Sequence, residues 1–477
     1  MKPYENRLKA FFGEKERLAR SLALQEQKAT AWAAWPSVVP RSGPPGIKVL
    51  STFKDGLDQA LVPGEQSKLR DAVWYFFAAG KEGNWRECRR LYRYLARHSH
   101  HFAEADRLFE STVWQPINES FRAYEQLADG EPGFTVPFAR DILECIPPGS
   151  IYFGDTDSGL FLVEFLNSSS AERKPFFVLT QNQLADWLYD ECVEQTYGDA
   201  ISLPSQVDYV ACRNEYEAAA NDRLKRGVLK PDENVKMVNG ELEISGPVAV
   251  MELSGHISKL IFERNPDREF YVQENYAEDW MRSFLTPHGP LLKLYRQPVG
   301  EITEEMVRKD SDYWTPRINR LIGDWLKPET PLDEVVDFVE RVYLRRDLKG
   351  FKGDPNFVRT ERIWKSMPDY VSPAHWISGM RMSVARLYAW RIQNVRTPAE
   401  QERLLAPADF AFRQAFAVCP HQTDVMIAYG NFLWSQRRLR DAALIARTVA
   451  RFYPDEKYYR DLVGRLSART EVEKWIR

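Results

Sequence analysis

Residues 407–420, PADFAFRQAFAVCP, and residues 441–454, DAALIARTVARFYP, repeat one pattern at an offset of 34 positions. Ala408 falls on Ala442, Phe412 on Ala446, Ala415 on Val449 and Pro420 on Pro454. Apolar residues three and four apart mark one face of a helix, and a proline cannot continue the helix it follows. The pattern predicts two helices, each closed by its proline, with small side chains that let a neighbouring axis come close. In the later copy Tyr429, Gly430 and Leu433 lie on a preceding helix and set a small residue between two large ones. The earlier copy is less regular. Arg396 stands where Gly430 stands later, and a first helix over 378–393 reaches its partner through a longer loop around Pro398.

This arrangement resembles the tetratricopeptide repeat, a helical hairpin with a 34-residue period, small residues where its helices touch and a proline after the second. The resemblance implies tetratricopeptide-like helical repeats over 373–477. Ala408, Phe412, Ala415, Pro420, Tyr429, Gly430, Leu433, Ala442, Ala446 and Pro454 would then be the packing positions. Arrays of this kind present a concave surface to extended peptides, so the resemblance also implies a protein partner for the C-terminal region.

Working outward, residues 301–372 return to a helical period, with Asp333, Val336, Phe338, Val339 and Val342 in one amphipathic segment, and form a helical connector. Residues 134–300 alternate short apolar runs with amphipathic helices, the pattern of a small α/β domain of βαβ type. Strands are expected at 150–153, 176–179, 241–244, 248–253, 269–272 and 291–295, and a helix at 279–285. Residues 1–130 read as a helical N-terminal region: a charged helix to about Trp35, a Pro- and Gly-rich connector over 36–66, and helices from Ser67 to Ala128 turned at Gly83-Asn84. The expected fold class is α+β, mostly α.

Lys and Arg total 65 against 68 Asp and Glu, a net charge of -3. No global positive field is available for nucleic acid or anionic lipid. Cys88, Cys145, Cys192, Cys212 and Cys419 are odd in number, widely spaced and without a CxxC pair, which suits reduced thiols rather than a disulfide framework or zinc site. The most apolar run, Gly159–Leu166, contains Glu164 and falls far short of the ~20 residues needed to cross a bilayer. The N-terminal stretch interleaves charges and lacks a signal-peptide core. A cytoplasmic protein without a transmembrane segment is expected. An aromatic content of 13% suits interface cores, so an oligomer or a structural subunit of a larger assembly is a further reading.

The chemistry-bearing residues are few. Gly154-Asp155-Thr156-Asp157-Ser158 follows a predicted strand and opens a helix, so Asp155 and Asp157 could share a divalent cation at a strand end or simply cap the helix. Asn182 and Asp186, one helical turn apart after the second strand, would face the sheet edge where α/β folds bind ligands; His288 would complete a cleft there. His98, His100 and His101 close the basic helix that begins at Trp85, with no partner at a recognisable metal spacing. Arg345, Arg346, Lys349 and Lys352 flank Gly350 and Gly353 in a loop without a Walker pattern. No GxSxG, HExxH, kinase set or strand-borne GxGxxG is present, which inclines the reading away from an enzyme.

The runs IPPGSIYFGDTDSGLFLVEFL, FFVLTQNQLADWLYDE and EFYVQENYAEDWMRSFLTPHGPLLKL resemble the soluble portion of a bacterial family of membrane proteins related to protein O-mannosyltransferases. They are equally similar to uncharacterised bacterial tetratricopeptide-repeat proteins. The former resemblance implies a glycosyltransferase-like enzyme or enzyme remnant using Asp155 and Asp157 as a metal and nucleotide-sugar site. The membrane helices where that chemistry would lie are missing from this sequence. The first expectation is therefore a soluble interaction scaffold whose α/β domain suits a small ligand.

Overall fold

The computed structural model describes residues 66–97, 111–128, 132–154, 158–169, 176–230, 232–238, 240–273, 278–360, 372–394, 397–461 and 463–464. The helix expected over 1–35, the connector after it, the histidine cluster at 98–101, and Asp155 and Asp157 lie outside those residues. Two compact units are formed, residues 1–139 with 161–171, and residues 140–160 with 172–477.

In the first unit α1 (Gln66–Lys81) and α2 (Trp85–Ala96) form a hairpin turned at Gly83, whose φ of 70° suits glycine. Asn84 caps α2 by accepting the Glu87 amide at 3.3 Å. α3 (Ser111–Ala128) brings Tyr124 so close to α1 that a Cβ on Gly80 would lie 2.3 Å from its ring. Phe121 stacks on Tyr92 and Trp85, at 3.6 and 5.2 Å between ring centroids. Burial pushes the Cys88 thiol up to about 12, which leaves it un-ionised and inert. α4 (Pro132–Cys145) runs on into the second unit, and α5 (Ser158–Ser169) adds the buried Leu162 and Val163 to the first.

The sheet of the second unit is built from β1 (Ile151–Gly154), β2 (Phe177–Thr180), β5 (Phe270–Val272), β6 (Leu285–His288) and β7 (Leu291–Leu294) in the order β2-β1-β5-β7-β6. β1 pairs in parallel with both β2 and β5, and the β5–β7 and β7–β6 pairs are antiparallel. Every residue of β1 is buried, as expected of a parallel strand covered on both faces. Between β2 and β5 the chain forms α6 (Trp187–Tyr197), α7 (Gln206–Arg226), a hairpin of β3 (Asn234–Val238) and β4 (Glu241–Ser245), and α8 (Pro247–Arg264). Tyr216, Ala220, Val235 and Ala249 close a satellite core there, and α8 lays Phe262 on Phe270 at 5.1 Å.

Two expectations fail in this region. Val248–Leu253 is helical, the opening of α8, because Pro247 takes the first turn after Gly246 at φ 93°. An apolar run of six residues fits either period; the four-residue spacing of Ala249, Leu253, Ile257 and Ile261 decides it. Asp279–Leu285 is not an α-helix but turns through a 3-10 segment at Arg282–Phe284, and Leu285 already pairs with Leu294 in β6.

The remainder is helical: α9 (Glu304–Ile322), α10 (Leu332–Val339), the short α11 (Pro355–Thr360), and the hairpins α12 (Pro373–Asn394) with α13 (Pro398–Val418) and α14 (Thr423–Ser435) with α15 (Leu439–Phe452). Pro420 and Pro454 each follow the second helix of a hairpin, Pro420 buried and Pro454 exposed. Ala408, Phe412, Ala415, Tyr429, Leu433, Ala442 and Ala446 are buried, and Gly430 is partly exposed. Tyr429 stacks on Phe412 at 5.3 Å and donates to Asp409 at 2.8 Å. The hairpins are unequal, with helices of 22 and 21 residues against 13 and 14, so the 34-residue offset aligns only the ends of their second helices. No helix among the described residues is long and apolar enough to cross a membrane.

α12 is buried along most of its length and carries Arg381 and Arg391 inside. Arg381 donates to both oxygens of Asp310 on α9 at 2.9 Å and to Gln414 on α13 at 2.8 Å, and Tyr388 donates to Asp310 at 3.1 Å. Removing one member of such a pair strands the other charge. Asp310→Ala is expected to cost roughly 3–5 kcal/mol in urea unfolding followed by tryptophan fluorescence, and the double variant Arg381→Met, Asp310→Leu should recover most of that loss.

Candidate functional site

β1 has a parallel neighbour on each side, and the chain reaches β2 before it returns to β5. That reversal makes the carboxyl ends of β1 and β5 a topological switch point, where open α/β sheets hold ligands. Side chains along a strand alternate between faces. Tyr152 and Tyr271 therefore share one face, and Phe153, Leu179 and Val272 share the one covered by α8.

Beyond the strand ends the polar residues gather. The Tyr152 hydroxyl donates to Gln273 directly after β5. On the α8 side Gln181, fully buried after β2, donates from Nε2 to Glu278 Oε1 at 3.3 Å. Its own Oε1 has no hydrogen-bond partner among the described residues, and neither has the hydroxyl of Ser254, which is 0% exposed. Gly255 follows Ser254 on α8, and a Cβ there would stand 2.8 Å from Glu278 Oε2. Glycine thus allows the carboxylate to lie against the helix. Ser258, one turn on, accepts from Trp280 Nε1 at 3.3 Å and donates to the Gly255 carbonyl at 2.9 Å.

Glu278 makes no ion pair among the described residues. Burial, the leading cause, pushes its carboxyl up to about 7, and Glu252 and Asp279 add to the rise while Gln181 and Arg282 oppose it. A carboxyl poised there can donate or accept a proton near neutrality. Unmet buried polar groups are costly, on the order of 1–3 kcal/mol each, and two of them, Gln181 Oε1 and Ser254 Oγ, belong to the turn after β2 and to α8.

The residues singled out from sequence are dispersed. Asn182 is in the 3-10 turn after β2, half-buried, and Asp186 is exposed, its carbonyl accepting the Tyr189 and Asp190 amides. Burial first, then the charges of Asp190 and Asp186, raises the Tyr209 hydroxyl above its ordinary range. His288 sits on β6, separated from β1 by β5 and β7. Its Nε2 lies 3.3 Å from the Cys145 carbonyl and its ring 5.2 Å from that of Tyr271, and burial lowers its pKa. Arg345, Arg346, Lys349 and Lys352 are exposed in their loop. The described residues hold no group of three or more His, Cys, Asp or Glu able to hold a metal ion. Gln181, Ser254, Gly255 and Glu278 are not among the residues that the sequence singles out. The Ser-Gly pair inside a helix is a signal for close approach, but it is visible only once α8 is recognised as a helix. Compared with known protein families, curated proteins and solved structures, the chain matches none.

A carboxyl that is harder to ionise in the folded chain binds its proton more tightly there than in the unfolded chain. Stability is then complete below the unfolded value of 4.5 and declines as pH rises through about 7. The loss amounts to at most roughly 3 kcal/mol. Glu278→Gln, which cannot ionise, is expected to flatten this part of the pH–stability curve measured by urea unfolding between pH ~5 and ~8. An unchanged slope would mean that Glu278 is already ionised at pH 5.

Proposed function

We propose that this protein works by binding, with a small polar ligand held at the carboxyl ends of β1, β2 and β5 and a protein segment held by the C-terminal helical hairpins. One observation supports the ligand site above others: Gln181 Oε1 is buried without a partner beside Glu278, which makes no ion pair among the described residues, and Ser254, next to Gly255 on α8, has a buried hydroxyl that is likewise unmet. Folding alone gains nothing from such groups, whereas a ligand that meets them recovers their hydrogen bonds. Cys88, Cys145, Cys212 and Cys419 are in no disulfide, which suits a reducing compartment such as the cytoplasm.

The partner-binding half draws on the tetratricopeptide-like arrangement and on the outer face of α14. Ile427 and Trp434 are 38% and 37% exposed there, and a Cβ on Gly430 would meet nothing within 4 Å. Two large apolar groups flanking a bare stretch of helix suit a peptide laid across it. In affinity capture, the combined Ile427→Ser, Trp434→Ala variant is expected to lose partners retained by the wild type, with an unchanged melting temperature. Retention of every partner by the variant counts against this surface.

The ligand site is checked by thermal-shift screening of small polar compounds. Hits are expected to disappear in Gln181→Leu and Ser254→Val, and a screen whose hits persist in both places the binding elsewhere. Gly255→Ala separates site from fold. Alanine is favoured over glycine in a helix by up to ~1 kcal/mol, and the clash falls on the end of the Glu278 side chain, which can swing away. This variant is expected to melt no lower than the wild type and to bind the hits more weakly.

A further inference from the structure

The charges around Glu278 indicate what kind of ligand would fit, if that end of the sheet is a ligand site. On α8 Glu252 faces the region, and its cation is Lys230 at 2.5 Å. On the loop after β5 Asp279 is paired with Arg282 at 3.1 Å. Among the described residues Lys230 and Arg282 each pair with another carboxylate, and Glu278 forms no ion pair. The partner that it does have, the Gln181 amide, spends one donor on Glu278 and leaves its oxygen as an unmet acceptor. What the site lacks is positive charge carried on N–H donors.

We propose that the group bound here is a small organic cation, an amine or amidine, whose N–H groups bond the Glu278 carboxylate and Gln181 Oε1 together. Two acceptors on one donor-bearing head match the spread of an amidinium or a primary ammonium. An anion would meet the Glu278 carboxylate, with the charges of Glu252 and Asp279 adding repulsion. A metal ion would find too few ligands, one carboxylate and one amide oxygen where six or more are usual for Ca²⁺ or Mg²⁺. The gain also has a proton signature. With the carboxyl poised near pH 7, binding of the cation breaks the Glu278 O–H bond and the proton passes to the buffer, so uptake of one positive charge is matched by release of another.

Matched probes test this on the full chain: benzamidine against benzamide, benzylamine against benzyl alcohol, and magnesium chloride as the metal arm, each followed by calorimetry in two buffers of different ionisation heat. The cationic member of each pair is expected to bind about tenfold or more tightly than its neutral isostere. Proton release should approach about one per ligand at pH ~6 and fall towards zero by pH ~8. Glu278→Gln should abolish both the preference and the release. Equal binding of the neutral members without proton release overturns the cation assignment and leaves the ligand site standing. Magnesium binding that displaces the organic probes overturns it in favour of a metal. Failure of all five probes, with thermal-shift hits still lost in Gln181→Leu and Ser254→Val, also overturns the cation while sparing the site; failure of both measurements removes the site as well.

Discussion

α12 is enclosed by other helices over most of its length, and a buried helix that carries two arginines must have every charge answered from its neighbours. Arg381 is answered by Asp310 of α9 and Gln414 of α13. Arg391 is answered by Glu400 at 2.8 Å and by the carbonyls of Val299 and Gly300, both at 3.0 Å. Glu400 in turn accepts the Ile302 amide at 2.8 Å. These contacts tie the segment leaving the sheet to the start of α13, and they set the register of α9, α12 and α13 against one another. An apolar interior of the same volume would bind as strongly or more so. It would also tolerate sliding. Charges that must meet at 2.9 Å do not.

The same constraint, unmet, marks the sheet end. At Arg381 each buried donor and acceptor finds a partner within the chain, and the pair is 2% exposed on both sides. At Glu278 the carboxyl has an amide donor from Gln181 but no ion pair among the described residues, and the oxygen of that amide is left unmet. A buried charge without a counter-charge shifts its pKa rather than remain ionised, and Glu278 does so. Two carboxylates of one unit thus differ in how far the chain answers them, Asp310 by an arginine and a tyrosine and Glu278 by a single amide.

Much of the architecture is legible in the sequence. The hairpin turn at Gly83-Asn84, strands β1, β2, β4, β5 and β7, and the helices closed by Pro420 and Pro454 all follow from local periodicity and breakers. The two misread segments share one cause. Val248–Leu253 is apolar at every position but one, so its period is undefined within six residues, and only burial of Ile257 and Ile261 further along fixes it as helix. Asp279–Leu285 contains good helix formers, but Leu285 is claimed by Leu294 across the sheet, and a long-range pairing outweighs local propensity.

The site itself was hidden for a different reason. Gln181, Ser254, Gly255 and Glu278 come from three separate segments, and nothing in their spacing links them. Gln181, Gly255 and Glu278 meet because β1 lies between β2 and β5, which brings the turn after β2 and the loop after β5 to one end of the sheet with α8 over it. His288, which shares the loop-rich end of the chain's middle region in sequence, is carried three strands away by the β6–β7 hairpin. Sequence proximity places side chains on an element, whereas strand order decides which elements are neighbours. A strand order that returns past β1 turns an unremarkable glutamate in a turn into the group around which a ligand would be recognised.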